Sequence, residues 1–226
     1  MLPKTPELPR PIIYLITNGA TSSKTTPDSE EFSQVLTLVQ KAVTANIPLV
    51  QIREKALTAR VLYELTRRAA AIVENSSTYL LVNDRLDVAL AAGAHGVQLT
   101  SKSLPVPVIR EVSPSQFIVG VSTHSLTEAE AARSGGADFI LFGPVFQTES
   151  KRAFGEPQGI GKLATIVQAV GALPVIAIGG IGIVNLRECF VSGASGVAAI
   201  RLLSDPATLQ TITSEIHRQW NNEARD

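Results

Sequence analysis

Four short stretches of this 226-residue chain carry the residue types of anion chemistry. "QIREK" (51–55) sets Gln51, Arg53 and Lys55 at alternate positions, and "GPVFQTESK" (143–151) brings Thr148, Ser150 and Lys151. "IGGIG" (178–182) supplies Gly179 and Gly180, and "IRLL" runs on from Ile200 through Arg201. Arg and Lys neutralise an oxyanion, and backbone N–H groups at a glycine-rich turn or helix N-terminus aim unused donors at it. A fifth stretch, "FIVGVSTHS" (117–125), ends an apolar run in Ser122, Thr123 and His124. An imidazole titrates near neutrality, so one held at the mouth of a site can accept and return a proton. Each stretch also has a plainer reading. Arg53 and Lys55 could be solvated charges, the glycines a tight turn, and Asp84 in "NDR" (83–85) a cap for the helix behind it.

Position decides between these readings, and position follows from the elements. Short β-branched runs alternate with segments of helical period along the whole chain. The strand candidates are 12–17, 48–53, 78–83, 95–99, 117–121, 138–142, 174–178 and 196–200. The helix candidates are 30–45, 58–75, 85–92, 105–111, 126–134, 160–170, 183–192 and 206–221. A repeat supports this count: "AGAHGV" (92–97), "GGADFI" (135–140) and "SGASGV" (192–197) each end a helix on a left-handed glycine and start a buried strand. The strands are nearly continuous in Val, Ile, Leu and Ala, as parallel strands covered by helices are. Eight such units predict an α/β fold, a (β/α)8 TIM barrel in a single domain over residues 1–226, with 1–11 as an extended N-terminal tail. An open doubly wound sheet is the competitor, but Gly-x-Gly-x-x-Gly does not follow the first strand.

Barrel sites are built from the loops at the C-terminal ends of the strands. Every stretch above lies at such an end, together with Asn83, Asp84 and Arg85 after the third strand. "IGGIG" follows the seventh strand and opens a helix, where barrel phosphate sites lie. The loop 147–159 is the longest after a strand and suits a lid over an anion. Of the three histidines only His124 passes this filter: His95 starts a strand at the opposite face, and His217 lies in a polar terminal segment expected to be solvated.

Composition excludes other classes. Lys plus Arg and Asp plus Glu both number 20, so no net field favours nucleic acid or an anionic membrane. A single Cys189 excludes an intrachain disulfide and a multi-cysteine metal site and fits a reducing compartment. The proline-rich start "MLPKTPELPRP" is no signal peptide, and no run of 18 apolar residues could span a membrane, so a cytoplasmic protein is expected.

Taken together, the strand exits resemble the thiamine phosphate synthase family and its sister branch, the thiazole tautomerase TenI. The likeness runs from "YLIT" to "GVAAI" through "QIREK", "NDRLDVAL", "GVQL", "GVSTHS", "GADFILFGPVF-T-SK" and "IAIGGI", in order and at family spacing. The synthase joins an aminopyrimidine pyrophosphate to a thiazole phosphate and releases pyrophosphate. The resemblance implies that Arg53, Lys55, Asn83, Thr148, Ser150 and Lys151 contact pyrophosphate. It implies that Gln51 and Ser122 line the substrate pocket, and that the loops at Gly179–Gly180 and Ile200 hold the thiazole phosphate. Asp84 matches one of two Mg²⁺-binding aspartates. The second is missing: the family's Gly-Gln-acid-Asp stretch is here Thr100, Ser101, Lys102 and Ser103. Mg²⁺ prefers carboxylates and substrate phosphates, so this change weakens its hold. The loss resembles the tautomerase branch. The expectation is therefore a thiazole tautomerase-like isomerase, with His124 and Ser122 as catalytic residues, His124 being the general acid/base, and no cofactor. The alternative is the synthase itself with Mg²⁺, and a non-catalytic phosphate-binding regulatory barrel stands third. Arg201 replaces a small residue, as a second phosphate fork or as an obstruction of the pocket. Family members are often dimers, so the resemblance also raises a homodimer.

Overall fold

Strand β1 (Ile12–Ile16, "IIYLI") is buried at every position, which requires apolar surroundings on both of its faces. Successive side chains of a strand point to opposite faces, and the burial pattern divides accordingly. Ile12, Tyr14 and Ile16 join Leu49, Leu81, Ile118, Phe139, Leu141, Ile176 and Ala198 in an inner cluster. Ile13 and Leu15 belong to a larger outer cluster with Val50, Val82, Val119 and Ile140, between the strands and the helices. Two cores explain why the strands are almost uninterruptedly apolar.

The computed structural model describes residues 7–148 and 156–223. After β1 the order is α1 (Glu30–Thr44), β2 (Leu49–Ile52), α2 (Ala59–Val73), β3 (Tyr79–Asn83), α3 (Leu86–Ala91), β4 (Gly96–Leu99), α4 (Val106–Val112), β5 (Ile118–Thr123) and α5 (Leu126–Ser134). The chain continues through β6 (Phe139–Phe142), α6 (Gly159–Val170), β7 (Val175–Ile178), α7 (Leu186–Val191), β8 (Gly196–Ala199) and α8 (Leu209–Glu223). All neighbouring strands are parallel, and β8 pairs back onto β1 through Ile12–Gly196 and Leu15–Ala199, closing the barrel. The open-sheet alternative is thereby set aside.

Local chemistry marks the element ends. Thr58 caps α2 by accepting the Val61 N–H at 3.4 Å, and Ser125 caps α5 by accepting that of Glu128 at 3.2 Å. Gly93, Gly136 and Gly193, at φ 74°, 87° and 85°, turn the chain from helix to strand in the left-handed region that only glycine enters freely. Two expected helices start late. The 183–192 candidate divides into a single 3-10 turn (Ile183–Asn185) and the short α7. The 206–221 candidate begins at Leu209, because Asp205 first makes a turn, accepting the Ala207 N–H on its side chain at 2.9 Å and that of Thr208 on its carbonyl at 3.1 Å. His217 on α8 is half-buried rather than solvated, and burial lowers its pKa. Among the described residues no helix is long and apolar enough to cross a membrane.

Candidate active site

Period-two alternation carries the inner face of β2 out to the rim. Gln51 is buried within the barrel, Arg53 is half-buried just above it, and Lys55 lies exposed at the edge. Thr17, one residue past β1, accepts the Arg53 N–H at 2.8 Å and ties the first two strand exits together. Glu54 has the opposite phase and is only 2% exposed. Its carboxylate accepts the Gly19 and Thr21 N–H groups, each at 3.2 Å, and the Thr21 hydroxyl at 2.6 Å. This acid, passed over in the sequence between two cations, clamps the β1–α1 loop beside Arg53.

Asp84 takes a left-handed conformation, φ 58°, and its carboxylate accepts the hydroxyl of Ser103 across the β3 and β4 exits. It does not cap α3: Arg85 holds the N-cap position without a side-chain bond, and its guanidinium turns to Asp87 at 2.8 and 2.6 Å. Ser103 in turn accepts the Thr100 N–H at 2.7 Å. Lys55 registers the surrounding charges. Partial burial and then Arg53 push its pKa down, Asp84 opposes them, and Lys102 adds a smaller repulsion. Arg53, Lys55 and Lys102 thus lie close enough to Asp84 to act on one another, an arrangement suited to an anion of more than one charge.

The same residues test the fit of Mg²⁺. Among the described residues no group of three His, Cys, Asp or Glu side chains could hold a metal. A protein-only cage is excluded there. Mg²⁺ is commonly held by one or two carboxylates plus substrate phosphates, and Asp84 with the adjoining Ser103 hydroxyl fits that shared mode.

His124 stands at the rim, half-buried. Its own N–H donates to the Glu128 carboxylate at 2.5 Å, and its Nδ1 bonds the Gly143 carbonyl at the end of β6. With Nδ1–H donating there, the neutral ring keeps an acceptor at Nε2. "SLTE" (125–128) is the sequence signature of this strap: a Ser cap followed three residues later by Glu. His95, by contrast, is structural: its Nδ1 accepts the Leu80 N–H at 3.1 Å and its ring meets Tyr79 edge-on. Below His124 on the same strand face, Ser122 accepts Gln98 Nε2 at 3.1 Å. Tyr14 donates to Gln98 Oε1 at 3.2 Å and accepts Gln51 Nε2 at 3.1 Å. Burial raises the Tyr14 pKa, and the bond from Gln51 offsets only part of that. Tyr14 and Gln98 were missed as site residues; a tyrosine and a glutamine inside otherwise apolar strands were the available signal, because buried polar groups need partners.

The β7 exit holds Gly179 and Gly180 at φ 96° and 68°. A Cβ on Gly179 would lie 2.5 Å from the Pro144 Cα, and one on Gly180 2.6 Å from the Gln147 carbonyl oxygen. The turn therefore needs glycine both for its angles and because the β6 exit packs upon it, with the Phe146 N–H on the Gly179 carbonyl at 3.0 Å. The helix expected to open here is the 3-10 turn, and Asn185 already accepts the Gly182 N–H at 2.9 Å. No described group accepts the Gly180 N–H. Arg201 is exposed and donates to Thr148 Oγ1 at 3.4 Å, joining the β8 and β6 exits, so it does not fill the barrel interior. Ile200 packs against the inner cluster, and Asn83 is half-buried at the β3 exit. Ser150, Lys151 and most of the proposed lid lie outside the described residues.

The family described as thiamine monophosphate synthase matches residues 13–203, all eight strands but the first residue of β1. The chain belongs to that family. A putative thiamine-phosphate synthase of Geobacter sulfurreducens is 45% identical over 173 residues, covering 76% of this chain and 81% of the relative. The thiamine-phosphate synthase of Chlorobium phaeobacteroides is 35% identical, covering 83% of this chain and 90% of its own length. Among solved structures, the thiamine phosphate pyrophosphorylase of Pyrococcus furiosus superposes with a TM-score of 0.77 at 29% identity, covering 94% of this chain and 97% of that one. A KDPGal structure with a TM-score of 0.70 at 15% identity shares the barrel alone.

Proposed function

We propose that this family member is a thiamine phosphate synthase, joining an aminopyrimidine pyrophosphate to a thiazole phosphate with release of pyrophosphate. The relatives that bear the synthase name favour this alternative over the tautomerase expected from the missing acid after β4. The observation that carries the reading is the grouping of Arg53, Lys55 and Lys102 about the Asp84 carboxylate, because a departing pyrophosphate gathers negative charge as its bond breaks.

The bond from the aminopyrimidine carbon to pyrophosphate oxygen breaks, the leaving group takes the electron pair, and the thiazole nitrogen supplies the pair for the new bond. Arg53, Lys55 and Lys102 stabilise the oxygens that gain charge, and each fixed donor of this kind is worth about 10²–10³ in rate. The Gly180 N–H and Arg201 sit on the side where the thiazole phosphate would be held. Gln51 and Ser122 orient the aminopyrimidine from below. Asp84 and Ser103 would hold Mg²⁺, which when bound supplies further neutralisation of pyrophosphate. The test incubates the purified chain with both substrates and Mg²⁺ and measures thiamine phosphate and pyrophosphate. Equimolar formation of the two is expected; substrate binding without either product refutes the reading and leaves the regulatory barrel.

One observation favours the tautomerase as a second reading: His124 is anchored through Nδ1, and no described group bonds its Nε2, which suits proton transfer. His124→Ala separates the two. It leaves coupling within about tenfold in a synthase, whereas a tautomerase loses at least about 10²-fold in aromatisation of the thiazole carboxylate phosphate.

A further inference from the structure

Four polar side chains cross the barrel interior beneath the mouth, from Gln51 on β2 through Tyr14 on β1 and Gln98 on β4 to Ser122 on β5. A glutamine amide has a donor end and an acceptor end, so such a chain can run in either direction unless something sets its polarity. Here the Leu99 carbonyl does so. Gln98 Nε2 lies 3.5 Å from that oxygen as well as 3.1 Å from Ser122 Oγ. Turning the Gln98 amide over would set two oxygens against each other at Leu99. Gln98 Oε1 must therefore face Tyr14, whose one hydroxyl proton is committed to it at 3.2 Å. The phenol oxygen is left only as an acceptor, and Gln51 must offer it Nε2, at 3.1 Å.

Two consequences reach the mouth. Ser122 accepts a hydrogen bond from the Gln98 amide and so keeps its own hydroxyl proton to donate. Gln51 turns Oε1 away from Tyr14, and no described group donates to that oxygen. We propose that Tyr14 is a positioning residue whose hydroxyl transmits the amide orientation of Gln98 to Gln51, leaving the mouth with a fixed acceptor at Gln51 and a fixed donor at Ser122. That pair selects a ring with a hydrogen-bond donor beside an acceptor over one with two acceptors. It is set before ligand arrives, so no amide has to rotate on binding. Burial supports the assignment: Tyr14 is 0% exposed and its ring packs edge-on against Phe139, centroids 5.6 Å apart, which leaves the hydroxyl little freedom to choose other partners.

The inference rests on the synthase reading only for its kinetic assay, and Tyr14→Phe is the test. Losing one neutral hydrogen bond from the relay should raise KM for the aminopyrimidine pyrophosphate about tenfold. Inhibition by inorganic pyrophosphate, which lacks the ring, and KM for thiazole phosphate should stay within about twofold. A merely structural tyrosine would weaken all three together, and that result overturns the proposal. In a Ser122→Ala, Gln51→Ala background Tyr14→Phe should change ring binding no further; additive losses reject action through those residues. A reading independent of turnover comes from the side-chain amide signals of Gln51 and Gln98 in ¹⁵N NMR. Faster proton exchange at Gln51 in Tyr14→Phe supports the relay, and unchanged exchange at both amides overturns it. A wild type that forms no thiamine phosphate overturns the proposed function alone, since the amide measurement stands without it.

Discussion

Ser103→Asp restores a second carboxylate beside Asp84, and its consequences follow from the geometry. The wild-type hydroxyl donates to Asp84; an aspartate there removes the donor and sets two anions in contact. Two unit charges about 4 Å apart repel by about 1 kcal/mol in bulk water and about 4 kcal/mol at an effective dielectric near 20. Asp84 is exposed and Lys55 and Lys102 lie close, so the cost belongs at the lower end, about 1–2 kcal/mol. For a chain of this length each kcal/mol lowers Tm by about 2–4 °C. A divalent cation reverses the sign, because it turns the repelling pair into a chelate. At a concentration about 100 times its Kd it contributes about 2.7 kcal/mol. The variant should therefore melt about 2–8 °C below the wild type in EDTA, recover with millimolar Mg²⁺, and need less Mg²⁺ for coupling. The wild type, with one carboxylate and no substrate phosphate, should show little shift with Mg²⁺ alone. Calorimetric melts of both proteins with EDTA and with Mg²⁺ give the answer. A wild-type shift as large as the variant's would refute the idea that Mg²⁺ here depends on substrate oxygens.

Two further outcomes can be checked directly. Gly180→Ala places a methyl group 2.6 Å from the Gln147 carbonyl oxygen at φ 68°, so the β6 and β7 exits must separate; KM for thiazole phosphate should rise at least about tenfold while far-UV circular dichroism is unchanged. His95 is half-buried, and desolvation lowers its pKa from the ordinary value of 6.5, so the unfolded state binds the proton more readily. Stability from this group is present above about pH 6.5 and is lost as pH falls, a limb that should shrink in His95→Gln when Tm is followed from pH 7 to 5.

The placement of much of the candidate site could be read without coordinates. Arg53, Lys55, Asp84, His124, Gly179 and Arg201 all lie at one end of the barrel, as their places after strand runs required. Asp84 lost its plainer reading as a helix cap, whereas the glycine turn kept its own alongside the functional one. The omissions share a cause. Glu54 reads as one more surface charge between Arg53 and Lys55, and only the return of the Gly19–Thr21 loop from far along the chain buries it. His217 looked solvated because its neighbours in sequence are polar, but α8, which carries it, packs against α7 and α1 and leaves it half-buried. The helix after β7 looked continuous, yet Asn185 bonds back to the Gly182 N–H and the Gly180 carbonyl and makes a separate turn of the first residues.

Residue order alone carried the eight strand–helix units, the left-handed glycines before β4, β6 and β8, and the end of the barrel where chemistry would gather, because each depends on periodicity and turn preferences a few residues long. The pairing of β8 with β1, the burial of Glu54, the direction of the Gln51–Tyr14–Gln98–Ser122 chain and the contact of Arg201 with Thr148 belong to the folded state. They join groups tens of residues apart, and a hydrogen bond's partner and direction exist only once closure has brought both ends within about 3 Å.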